Sequence, residues 1–156
     1  MEHGSDHKGQ NHYGRLTIEL ILDFIVMYLV MYTMIAALGH FHLNLNNVYM
    51  TMMMVAPMTI IMLVSMRSMF PSSRLNVIIG GAALVIFAVG FIAMRTQAGI
   101  GNAEFLRAMI PHHSGAILMC EKASITDPEI IALCQDITKS QNREIAQMEA
   151  ILARQK

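Results

Sequence analysis

Tryptophan is absent from this chain, and only two cysteines occur among its 156 residues. Two cysteines are too few for a disulfide scaffold, and Cys120 and Cys134 lack the Cys-x-x-Cys spacing. Charge is scarce too: Asp, Glu, Lys and Arg make up 14% of the chain, cancel to a net charge of zero and form no basic stripe. That excludes nucleic acid as an expected partner. What fills the chain instead is apolar, 54% of residues, well beyond a soluble domain. A membrane protein is the first expectation. The other excess is methionine, with 16 copies. Because methionine is both a flexible gap filler and a soft metal ligand, the count alone does not choose between packing and metal handling.

Three apolar runs, residues 16–38, 48–66 and 77–94, each approach the roughly 17 to 25 residues a helix needs to cross a bilayer. The first is too long for a signal-peptide core and lacks a small-residue cleavage pattern, so the His-containing tail 1–15 is expected to be retained. Lys8 and Arg15 precede the first run and Arg67 and Arg74 follow the second, while the first loop, residues 39–47, has neither Lys nor Arg. The positive-inside rule then puts the N-terminus in the cytoplasm and everything after residue 94 outside, with Arg95 and Arg107 running against it. The expected setting is a multi-pass protein of a bacterial inner membrane.

Residues 95–101 read as a linker, and from residue 102 to 156 the composition turns soluble. Asn102 is expected to cap a helix with Glu104 in its first turn. Asp127-Pro128-Glu129 predicts a second helix start: a capping carboxylate, proline at the first helical position, an acid in the first turn. The expected fold is therefore an all-α membrane protein in which three transmembrane helices precede an antiparallel helical hairpin.

Within the hairpin, Met109-Ile110-Pro111-His112-His113 places two imidazoles and a thioether after a helix-interrupting proline. Imidazole and thioether are neutral nitrogen and soft sulfur donors that suit copper, the thioether selecting the cuprous ion. Ile130, Cys134, Ile137, Gln141, Glu144, Met148 and Ile151 form a stripe on the second helix at steps of four and three residues. Reflecting the hairpin about Asp127 sets Cys120 against Cys134, His113 against Gln141, Met109 against Ile145 and Leu106 against Met148. The polar interruptions of both helices then coincide, as expected of a site, since buried polar groups need partners. His112 and His113 lie about 100° apart on a helix, so one points into the hairpin and the other elsewhere.

The stretch Phe105-Leu106-Arg107-Ala108-Met109-Ile110-Pro111-His112-His113-Ser114-Gly115-Ala116-Ile117-Leu118-Met119, followed by Gln141, Glu144, Ile145 and Met148, resembles the family known as domain of unknown function 305. The resemblance covers about residues 102–153. It implies a ferritin-like helical domain outside the cytoplasm, with some members implicated in copper binding or resistance. Longer members resemble two hairpins closed into a four-helix bundle, whereas this chain carries one. A lone hairpin buries little, so a homo-oligomer that completes the bundle is expected, with the metal near the interface.

Other groups compete for attention. His3 stands third from a free amine, with His7 near it, an arrangement that can wrap a cupric or nickel ion or can be a plain polar tail. His40 and His42 mark the first loop as a further metal candidate. Glu19 and Asp23 begin a stripe that continues through Met27 and Met31, at a depth where acids are functional candidates or headgroup neighbours. Met50, Met54, Met58, Met62 and Met66 form a regular stripe that packing or cuprous-ion binding would each explain. The two cysteines can be a disulfide, apolar filler or thiolate ligands.

The expected function is copper sequestration, handling or resistance by a membrane-anchored protein, binding Cu⁺ or Cu²⁺ through His112, His113, Met109, Met119 and Met148. Glu144 and Gln141 would orient the imidazoles, and an unidentified protein would take the metal on. The rival reading is a metal-independent oligomerisation or partner-binding module. Catalysis is not expected: the soluble part has no Glu-x-x-His pair, and neither a nucleophile–base set nor a phosphate loop appears.

Overall fold

The computed structural model describes residues 6–155, with side chains from residue 12 onward. The described residues are helical and contain no strand. The elements are α1 (Asp6–Val30), two short 3-10 turns (Met31–Met34 and Leu38–His40), α2 (Leu45–Ser65), α3 (Ser73–Thr96), α4 (Asn102–Lys122) and α5 (Pro128–Arg154). Three stretches, His12–Met34, Leu45–Ser65 and Ser73–Thr96, are long and apolar enough to cross a membrane. This is a helical membrane protein.

The chain divides into two compact units. The first combines residues up to Leu29 with Val48–Ala98, so it contains most of α1 and α2 and all of α3. Its core is Leu16, Leu63 and Phe70, with Tyr13, Leu20, Met62 and Ile79 packed against them. The Tyr13 hydroxyl accepts from the Ser72 amide at 3.1 Å and donates to Asn76 Oδ1 at 2.8 Å, tying α1 to the start of α3. Further along, Gly90 lets α3 approach α2 closely: a Cβ there would lie 3.2 Å from both the Tyr49 carbonyl oxygen and Met52 Cβ. Close backbone approach through glycine is how helices pack where lipid removes the hydrophobic drive.

The second unit is Val30–Asn47 with Gly99 to the C-terminus. The sequence reading assigned the first loop to the membrane region; the structure groups it with the last two helices. The cause is a set of hydrogen bonds between residues distant in sequence, given below. α4 and α5 lie along one another around Leu106, Ile110, Ile117, Ile145 and Met148, with Ile110 fully buried. Gly101, not Asn102, is the N-cap of α4 and makes no side-chain cap bond. Asp127 caps α5 as expected, accepting from the amides of Glu129 at 2.8 Å and Ile130 at 3.2 Å.

Candidate metal centre

Every residue of the candidate site whose side chain the structure describes lies in the second unit. α4 carries the central ones and runs helical through Pro111. His113 is half-buried, its side chain 13% exposed, and its Nδ1 sits 3.2 Å from Glu144 Oε2 on α5. The two atoms are close but not aligned as a hydrogen bond, so this buried nitrogen has no hydrogen-bond partner. Glu144 is held in turn by the Ser140 hydroxyl, which donates to Oε1 at 2.7 Å. Burial pushes the His113 imidazole below its ordinary pKa; Glu144 pulls it back up and His112 pushes it further down. The ring is thus poised neutral, with a lone pair for a Lewis acid. His112 is exposed, and its ring centroid stands 6.0 Å from that of His113.

The thioethers do not gather around this pair. Met148 is buried in the hairpin core and Met109 packs against that core. Met119 is 55% exposed and next to Cys120. Met119 adjoins Cys120, which is bonded to Cys134, and 14 residues of α5, about 21 Å, separate Cys134 from Met148. Met119 and Met148 therefore cannot serve one ion within one chain. Gln141 is half-buried on α5, but the partner His113 meets is Glu144, three residues beyond the one that simple reflection selects. Among the described residues, no three His, Cys, Asp or Glu side chains meet in a group able to hold a metal ion.

The first loop supplies what sequence reasoning missed. Ser114, fully buried on α4, accepts from the Ala36 amide at 2.7 Å, and its Oγ lies 2.7 Å from His40 Nδ1. Glu104 Oε2 accepts from the Leu45 amide at 3.2 Å, while Oε1 takes Arg107 at 2.7 Å. Inside the loop, the Tyr32 hydroxyl donates to the His42 carbonyl at 2.9 Å, and Asn44 Nδ2 donates to the same carbonyl at 3.0 Å. His42 is half-buried with its Nε2 enclosed and unpartnered. Burial lowers its pKa; Glu149 opposes this, while Arg107 and His40 add to it. A signal for Ser114 was present: it is the polar interruption at i+4 of the buried Leu106, Ile110, Ile117 face. His3 lies outside the described residues, and His7 belongs to α1 at a position whose side chain is not described.

Of the three readings open for the cysteines, the structure takes the disulfide. Cys120 and Cys134 are bonded, their Cα atoms 5.3 Å apart and 14 positions apart in sequence. Thiolate ligation by the pair is thereby removed in this state.

A helical membrane protein with such a C-terminal hairpin matches the family described as Domain of unknown function (DUF305), over residues 93–152. Across 144 residues it is 34% identical to an uncharacterized protein of Acanthamoeba polyphaga mimivirus, covering 90% of this chain and 93% of that one. The chain belongs to the same family as that viral protein, a kinship that includes the membrane unit. Nothing in it speaks for the bacterial inner membrane expected above. No solved structure matches the chain.

Proposed function

We propose that the second unit is half of a ferritin-like bundle that binds copper on the outer side of the membrane, for sequestration, handling or resistance. One observation carries the reading: His113 is enclosed, shifted toward its neutral form, and lacks a hydrogen-bond partner beside a carboxylate. Neutral imidazole is the form that ligates metal, and a carboxylate beside it is a common orienting partner or co-ligand. His113 and Glu144 would hold the ion, with His112 on the exposed side. Two close donors are fewer than copper ordinarily takes, which supports completion of the set by a second chain. The disulfide supports the outward orientation, since such bonds persist in oxidising compartments.

The test is cuprous and cupric titration of the full chain in detergent, with ascorbate as the reductant for the cuprous arm so that no thiol disturbs the disulfide. Combining His112→Ala with His113→Ala is expected to weaken binding at least tenfold, and Glu144→Gln by a smaller factor. Undiminished binding in the double variant overturns the site. A second reading, a metal-independent oligomerisation or partner-binding module, is favoured by the exposed apolar residues Phe105, Ile130 and Leu133. It requires that a chelator leave oligomeric state and thermal stability unchanged.

A further inference from the structure

Near the middle of α2 and α3 the side chains shrink, to Ala56 on one helix and to Ala82 and Ala83 on the other. A hollow of about 400 Å³ lies there, walled by all three helices of the first unit. Val55, Ala56, Thr59 and Ala83 form its floor and are buried. Leu20 and Phe24 of α1 are half-buried at its rim, and Ile86 of α3 is 44% exposed there. The spans set its depth. Val55 is the middle residue of Leu45–Ser65, and Phe24 and Ala83 lie within two residues of the middles of His12–Met34 and Ser73–Thr96. Its size falls within the roughly 300 to 1,000 Å³ of pockets that hold small ligands.

We propose that this hollow is a binding site for one acyl chain of a bilayer lipid. The lining admits nothing polar. Its one hydroxyl, that of Thr59, donates to the Val55 carbonyl at 3.0 Å. Water needs two to four polar partners to settle in a hollow, and Thr59 alone does not supply them. Left empty, the walls would forfeit their dispersion contacts, so the occupant is apolar. The rim lies at the depth where a bilayer holds its hydrocarbon tails and is far from its headgroups. Shape selects a chain over a compact molecule: Leu20 and Phe24 also border a second hollow, of about 330 Å³, that follows α1 back to Thr17. The apolar track thus runs on from mid-span toward one end of α1. Three helices with only 11, 28 and 11% of their spans buried offer one another little packing, and a bound chain adds to it. The site is independent of the histidines of the second unit.

The experiment places the full chain in nanodiscs of a phosphatidylcholine that carries a photoactivatable diazirine at mid-chain, and maps the cross-links residue by residue. Labels are expected at Thr59 and Ala83, which are each 4% exposed and so are reached only from inside the hollow. Ile61 and Val64, 62 and 63% exposed, report ordinary lipid contact in the same sample. Filling the floor with Ala56→Leu and Ala83→Leu is expected to abolish the Thr59 label while Ile61 and Val64 keep theirs. Ala88→Leu, a like change at an exposed position of α3, is expected to leave every label in place. Labels confined to exposed side chains, annular contact only, overturn the site. A Thr59 label that survives the filled floor overturns it equally. If the filled variant fails to insert, losing the Ile61 and Val64 labels too, the map of the unaltered chain decides alone.

Discussion

Leu22 in α1 and Leu133 in α5 are equally bare, 55% and 56% exposed, yet they mean different things. In the membrane unit most side chains of each span are uncovered, with only 11% of the first and third spans buried. Hydrocarbon is the solvent there, so exposure costs nothing and cohesion comes from close approach at Gly90 and a few polar ties such as Tyr13 to Asn76. The second unit instead carries a disulfide and a buried serine that bonds across 78 positions of sequence. A two-helix unit encloses too little to stand on packing alone. Cross-ties do for one unit what the bilayer does for the other.

The sharpest way to break this comparison is to place the same charge at both leucines. Leu22→Asp, at mid-span, is expected to cost about 3 kcal/mol of membrane insertion, read as a drop in the inserted fraction in a glycosylation-reporter assay. Leu133→Asp is expected to change the stability of the second unit by no more than about 0.5 kcal/mol. Equal effects would mean that the two surfaces meet the same solvent.

Next in size is the disulfide. Closing a loop of about 15 residues is worth about 3 kcal/mol. Cys120→Ser with Cys134→Ser should therefore lower the unfolding midpoint of α4 and α5 while leaving the helical signal of the spans in place. A membrane unit that melts along with them would show the two to be one cooperative body.

The smallest effect is that of pH on the metal-free protein. His113 and His42 both have folded pKa values below 6.5, mainly through burial. Below pH 6.5 the unfolded chain takes up protons that the folded unit still refuses. Stability is thus complete above 6.5, falls as pH drops toward the lowered folded values, and then levels off. Thermal melts of the second unit between pH 7.5 and 5 should show this slope, and His113→Gln with His42→Gln should flatten it.

Much of the frame was legible because local pattern carries it. Apolar run length marks the spans, Asp127-Pro128 marks the start of α5, and reflecting the hairpin brought Cys120 to Cys134. The site was less legible for identifiable reasons. Reflection ignores the twist of one helix about another, so it paired His113 with Gln141 where the structure pairs it with Glu144. Met109 and Met148 pack in the hairpin core, and nothing in their spacing separates a thioether that packs from one that binds. The polar break at Ser114 was legible on its helix face but its partner was not, since the bond joins residues 78 apart through a single hydroxyl and leaves no periodic trace in the first loop.

That hydroxyl has a consequence for engineering. The second unit is not a contiguous stretch of gene: residues 99–156 hold Ser114 and Glu104, whereas the amides of Ala36 and Leu45 that satisfy them are encoded between the first membrane span and the first turn of the second. A fragment cut at the linker would carry a buried serine stripped of its donor. The alignment with the viral relative runs across both units rather than the hairpin alone.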